Sequence, residues 1–523
     1  MSASRRLATL AIAASALLPT ASHALEDHLR ALSSGPTELR LCGKDAALAS
    51  SDACKQKDYD TLTTGIEKAL QATLAKTPAN IRPLLKRDQV WFNEMMQSAA
   101  DAVSNFTDDE TQETKEALIE GLRQRIPALQ SIAGGFGRAG LAGKWSNVFG
   151  SVDVAPADGD AYRLTFDTSV VYGIGGRFLH TCKISALVKP GSSAWLSGAM
   201  LPDAKPANAD AGTTDAKSEP AKSEPAKPTT IKIRRQGETL RIVLGDEEWN
   251  EDEHSDCEDL TQLTGSYFAA GKPDAATGKT NTAFAAPTFD CVRPDSATEE
   301  EICADPDLAE NDQKLNRVWK ALLPRLDEAT RKALTEDQRN WVVKSQALQY
   351  PEFLHPGWEK QTSQIHLTNF ARNKLERLQL ERIALIDGFD EQRQGIAGTW
   401  LAYNAVLQVT VTNGKVTAKG WKWDQGDWKA GCDYEMTGKY VDGTFRSSDG
   451  AKNADTLERD HASLVVNRLD DVFAPKRGKK DGTQDTAANE QKCRRSIEAS
   501  STARLFPARP SPDIDNLGGG IIR

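Results

Sequence analysis

The sequence predicts an α+β protein. It reads as two tandem copies of a helical hairpin or bundle subdomain, each followed by a small antiparallel β subdomain and each stapled by disulfides. Three observations lead there. The phrase RAGLAGKW at Arg138–Trp145 returns as RQGIAGTW at Arg393–Trp400, 255 residues on, with Leu141 answered by Ile396. The cysteines repeat the shift: Cys42 to Cys54 and Cys291 to Cys303 each span 12 residues, and Cys182 and Cys432 stand 250 apart, as do Trp91 and Trp341. A near-constant offset across unrelated landmarks marks a duplication, and loops of unequal length account for the offset of 236 between Cys257 and Cys493. Finally, apolar spacing within each copy changes at the octapeptide from a helical to a two-residue period.

At 523 residues the chain is too long for one hydrophobic core, and 39% hydrophobic with 27% charged residues is ordinary for a globular protein. Residues 1–24 read as a signal peptide: Arg5 and Arg6 precede the apolar run LATLAIAASALL, with small residues at Ser22 and Ala24 for cleavage near Ala24. No stretch approaches the roughly 20 apolar residues of a membrane helix, so no transmembrane segment is expected. Cleavage would remove two arginines and no acids, taking the formal charge from −9 to −11. Such a chain repels nucleic acid and attracts basic partners. The expected order is helical 25–137, β 138–267 with a polar insert at 203–228, a link at 268–287, helical 288–392, β 393–508 and a tail at 509–523.

In the second copy Asp305 is placed to cap a helix with Pro306 at its first position, and Leu308, Leu315, Trp319, Leu322 and Leu326 form a buried stripe. Thr335 and Gln338 read as a capping box that restarts a helix at TEDQRNWVV, and a third helix is expected from about Gln361 to Ile386. The first copy follows the same plan, with a stripe of Leu62, Ile66, Leu70 and Leu74, a second helix around Trp91 and Met95, and a third over Thr111–Ile132. After the octapeptide, VLQVTVTNGKVTAKGW alternates about Asn413-Gly414, a hairpin signal, and YRLTFDTSVVYG, RFLHTCKISALV and TIKIRRQGETLRIVLG alternate likewise. The octapeptide is thus a hinge whose glycines permit a bend and whose tryptophan can plug a sheet; a ligand loop is the alternative.

Export makes disulfides possible, and the even division of cysteines suggests pairs 42–54, 182–257, 291–303 and 432–493 within each copy. Metal binding is the competing reading, but CxxC knuckles are missing from the sequence, and no metal or other cofactor is expected. HExxH, GxSxG and P-loop patterns are likewise missing, so no catalytic residues are assigned and no enzyme is expected. GIGG at Gly173–Gly176 lies between strands and reads as a turn. His254, among acids, reads as part of a solvated loop, with a cation site as the alternative. The suggestive surface stretch is GWKWDQGDWKAG, where Trp421, Trp423 and Trp428 could form a sheet core, a partner anchor or a sugar-stacking face.

Residues 288–388 resemble the lysozyme inhibitor LprI-like N-terminal domain family, a small secreted helical module with a cysteine-stapled start. The resemblance rests on Phe289, Cys291, Glu300, Ile302, Cys303, Leu308, Asp312, Leu315, Gln338 and Trp341. The first copy, residues 38–135, keeps the cysteines and Trp91 but carries Thr63 where Asp312 would stand. The family's second cysteine pair, shortly after the tryptophan, is missing from VVKSQALQ. The resemblance implies a periplasmic or secreted, non-catalytic protein that inhibits a basic lysozyme-like peptidoglycan hydrolase, or serves as immunity protein against a cell-wall-degrading toxin. A peptidoglycan- or glycan-binding envelope module is the alternative.

Overall fold

The computed structural model describes residues 38–39, 41–42, 57–103, 108–170, 180–201, 229–245, 263–272, 284–347, 368–423, 431–441, 444–447, 456–467 and 502–515. Among the described residues, three α-helices, α1 (Lys57–Lys76), α2 (Arg82–Val103) and α3 (Asp108–Gly135), precede eight strands: β1 (Gly143–Asn147), β2 (Gly150–Pro156), β3 (Tyr162–Val170), β4 (His180–Pro190), β5 (Leu196–Leu201), β6 (Thr230–Gln236), β7 (Thr239–Leu244) and β8 (Gly265–Ala269). Four more helices follow: α4 (Ala297–Ala304), α5 (Pro306–Leu322), α6 (Glu328–Ala347) and α7 (Thr368–Asp387). Eight further strands follow, β9 (Gly398–Ala402), β10 (Ala405–Thr412), β11 (Lys415–Trp423), β12 (Gly431–Val441), β13 (Thr444–Ser447), β14 (Thr456–Asp460), β15 (Ser463–Asn467) and β16 (Thr502–Ala508), and a last helical turn, α8, covers Pro512–Asp515.

The sheets are antiparallel as expected, but they differ from the expected small β subdomains in closing on themselves. Each closes into an eight-stranded up-and-down barrel, β1 pairing with β8 and β9 with β16. Alternation alone sets which side chains face inward; closure depends on how the first and last strands meet, which a local period does not encode. Each barrel is filled by side chains. Val152, Leu164, Phe166, Ile233, Leu240 and Tyr267 pack inside the first, and Leu407, Val416, Met436, Phe445, Leu464 and Leu505 inside the second. The hairpin about Asn413-Gly414 has both residues at positive φ, 51° and 74°, as a type I′ turn requires, between the paired Thr412 and Lys415.

The octapeptides close the base of the barrels as structural joints. Trp145 and Trp400 are fully buried, and their indole N–H groups donate to Leu141 O at 2.8 Å and Ile396 O at 2.7 Å. Two guanidiniums cover each indole: Arg138 and Arg235 lie 5.4 and 5.6 Å from Trp145, Arg393 and Arg459 5.2 and 5.1 Å from Trp400. Arg138 also donates to the carbonyls of Ala142 and Ala270, and Arg393 to those of Thr399 and Ala508, so each arginine ties the first strand to the end of the last. Gly143 and Gly398 have φ of 117° and 115°, and a Cβ on either would meet the guanidinium of Arg138 or Arg393.

Each helical bundle packs on the outside of the barrel that follows it. Val148, Phe149 and Phe268 join the core of α1 to α3, while Leu401, Val406 and Phe506 join that of α5 to α7. A buried acid on each bundle fixes the first hairpin: Asp88 accepts from Val148 N at 2.7 Å and Arg125 at 2.8 Å, and Asp337 from Tyr403 N at 3.0 Å and Arg382 at 2.6 Å.

Two further expectations are corrected. The helix over TEDQRNWVV does not restart at Thr335; α6 runs unbroken from Glu328, and Thr335 donates to Arg331 O in mid-helix. Its start is capped instead by Asp327, which accepts from Thr330 N at 2.9 Å, while Gln338 accepts from Arg382 at 2.6 Å. In the expected tail, Ile514 is fully buried against α7 and its neighbours. The start of the third helix at Gln361 lies outside the described residues, which begin α7 at Thr368.

Candidate functional site

The stretch from Cys291 to Asp307 concentrates buried charge. Cys291 and Cys303 form the expected disulfide, which ends α4 against the start of α5. Asp305 caps α5, accepting from Asp307 N at 2.9 Å and Leu308 N at 3.2 Å, with Pro306 following as expected. The same carboxylate also accepts from Arg372 of α7 at 2.9 Å and from Arg241 of β7 at 3.1 Å. Glu301, one helical turn earlier, takes Arg87 of α2 at 2.9 Å and Arg241 at 2.5 Å. Arg87, Arg241, Arg372, Glu301 and Asp305 are all buried.

Around this centre Trp195 Nε1 donates to Asp307 at 2.9 Å, Arg234 of β6 bridges Asp307 and Glu310, and Ser266 of β8 donates to Ala304 O at 3.4 Å. Gln236 Nε2 donates to Cys303 O at 3.3 Å. The outer face of β6–β7–β8 therefore receives the stapled start of the second helical bundle. An ionic joint of this kind has a demanding geometry, because a buried charge left without its partner is strongly unfavourable. It fixes that bundle to the first barrel rather than leaving it on a loose tether.

Burial alone would raise the carboxyl of Asp305, yet Arg372 and Arg241 outweigh it and hold it down at about 2; Glu301 is likewise lowered by Arg241 and Arg87 against its burial. For Glu94 burial acts alone, and for Glu300 Arg87 offsets only part of it. Burial pushes both up to about 7, and Oε2 of each makes no hydrogen bond among the described residues. Burial also pushes Glu381 up to about 8, with Arg377 offsetting only part of it.

These shifts predict a pH profile. The three raised acids stabilise the fold while protonated, a contribution complete below about 4.5 and lost as pH climbs through about 7 to 8. Asp305 acts oppositely, its contribution complete above about 3.8 and lost as pH falls toward about 2. Unfolding free energy is expected to be highest near pH 5 and to fall toward pH 8, by about 1.4 kcal/mol per pH unit for each acid titrating, with the melting temperature falling alongside. Glu94→Gln should flatten the alkaline limb; an unchanged slope would refute the assignment.

The residues singled out in the sequence divide clearly. Ile302, Leu308, Leu315 and Trp341 are buried core, Phe289 packs beside Leu308, and Asp312 ties α5 to the preceding strap by accepting from Thr288 N at 2.6 Å. Thr63 donates back to Tyr59 O within its own helix. Trp421 and Trp423 fall on β11, Trp421 opposite Val406, at positions alternating with those of Val416 and Ala418; Trp428 lies outside the described residues. Cys42 is disulfide-bonded, and Cys54, Cys257 and Cys493 lie outside the described residues. Cys182 and Cys432 stand on β4 and β12.

Sequence reasoning missed Arg87, Arg234, Arg241 and Arg372. Arginines on alternating strands and polar helices read as solvated, although the apolar Val243, on the same outward alternation as Arg241, was a signal that this face is covered. Among the described residues no cluster of His, Cys, Asp and Glu is arranged to hold a metal, and no helix is long and apolar enough to cross a membrane.

Residues 291–378 match the family model described as Lysozyme inhibitor LprI. That segment runs from the first cysteine of the staple into α7 and includes every acid of the buried joint from Glu301 to Glu310. No curated protein and no solved structure matches the chain.

Proposed function

We propose, from the premise that residues 291–378 are a lysozyme inhibitor LprI module, that the protein is exported and blocks a lysozyme-like peptidoglycan hydrolase without catalysis of its own. The family match is the observation that carries this reading. The disulfide within the module suits an extracytoplasmic setting. The mechanism is occlusion: a rigid acidic protein meets a basic enzyme and covers the cleft where its two carboxylates act. Immunity against an exported cell-wall-degrading toxin would use the same act of binding. The halves are read as a duplicated unit, each with its own two disulfides, 42–54 and 182–257 against 291–303 and 432–493.

The test is a cell-wall lysis assay with the mature full-length protein and a basic lysozyme. Lysis should slow as the protein is titrated to micromolar excess; an unchanged rate removes the inhibitor reading. A second reading, an envelope module that holds peptidoglycan through Trp421, Trp423 and Trp428, is favoured by the alternate placement of the first two on β11. Sedimentation with insoluble peptidoglycan separates the two, since an inhibitor stays in solution.

A further inference from the structure

The two barrels can be compared strand by strand, because Arg235 on β6 and Arg459 on β14 cover the buried tryptophans in the same way. The residue before each arginine starts a cross-strand row on the outer face. In the first barrel the row is Arg234, Arg241 and Ser266, in register across β6, β7 and β8. All three are spoken for: they hold Asp307 and Glu310, Glu301 and Asp305, and Ala304 O. This face is a protein-docking surface, and its occupant is the acidic start of the second helical bundle.

The matching row on the second barrel is Glu458, Val465 and Arg504, in register across β14, β15 and β16. It is open. Glu458 and Arg504 are exposed and Val465 is half-buried. The charge is also inverted: a glutamate replaces the arginine that receives Asp307, and an aliphatic side chain replaces the one that receives Asp305. Arg504 is engaged within the chain by Asp460 at 2.5 Å, whereas Glu458 has no ion-pair partner among the described residues. Among the described residues, what faces outward is a carboxylate without an ion-pair partner beside one half-buried aliphatic side chain, which would repel an acidic helix start and suits a segment presenting lysine or arginine next to an apolar side chain.

We propose that the outer face of β14–β15–β16, centred on Glu458 and Val465, is the docking surface for the basic hydrolase. The proposal rests on the inhibitor reading and names the contact surface within it. The experiment compares the full-length protein with the double variant Glu458→Lys/Val465→Ser and with Asp153→Lys, which makes the same net charge change on an exposed position of β2. Each is titrated against a basic lysozyme by calorimetry and in the lysis assay, with melting temperature as the check on folding.

The double variant should bind at least about tenfold more weakly at an unchanged melting temperature, while Asp153→Lys stays within about twofold of the parent. If the parent binds and the double variant binds equally well, the face is wrong and the inhibitor reading stands. Equal weakening by Asp153→Lys also overturns the proposal, because overall charge would then explain the binding. If the parent does not bind, both readings fall. Self-association of the parent that the double variant abolishes would assign the face to a second copy of the chain and overturn the hydrolase as its occupant.

Discussion

Asp305→Ala is expected to destabilise the protein by about 3–5 kcal/mol, because it leaves Arg241 and Arg372 buried with fewer partners and removes the cap of α5. Asp305→Asn keeps an oxygen for the cap while losing the charge. It should recover only about 1 kcal/mol of that loss, the typical worth of a cap. Urea unfolding followed by tryptophan fluorescence reads both. The parent should unfold with the first barrel and second bundle coupled, and the alanine variant should split into two transitions as the joint fails. A shift below 1 kcal/mol with a single transition would mean that apolar packing, not the ionic centre, unites the halves.

The second large effect is expected at Trp400. Its indole is fully buried, caps the base of the second barrel, bonds to Ile396 O and carries Arg393 and Arg459 on its faces. Trp400→Ala should cost about 3–5 kcal/mol by opening a large cavity in a closed barrel that cannot readily collapse to fill it. Trp145→Ala should cost a similar amount in the first barrel, where Arg138 and Arg235 stand over the ring. Near-ultraviolet circular dichroism and urea midpoints of the two variants check this. A cost near that of a surface substitution at either position would show that the tryptophan is not the plug of its barrel.

Local chemistry was legible in the sequence wherever a residue acts on its own neighbourhood. Asp305 before Pro306 marked a helix start, Asn413-Gly414 a hairpin, and the glycines and tryptophan of the octapeptide a joint, and each does that in the fold. Thr335 and Gln338 show the limit of such signals. Their spacing imitates a cap, but α6 already begins at Glu328 under Asp327, and Gln338 serves Arg382 on another helix. Barrel closure was illegible because it depends on pairings such as Trp145 with Ala269 that join distant ends of the chain. The ionic joint was hidden for a related reason: Glu301 and Asp305 look like ordinary acids near a helix start until Arg87 arrives from 214 residues away in sequence and Arg241 from 60 and 64.

Closure of the sheets also limits how another molecule can be recognised. Among the described residues every strand of each closed barrel has a neighbour on either side, so no strand is left as a free edge for a visiting peptide to extend. Contact with the barrels must run through the tips of side chains, where complementarity depends on individual residue identity and one exchange can redirect the choice of companion.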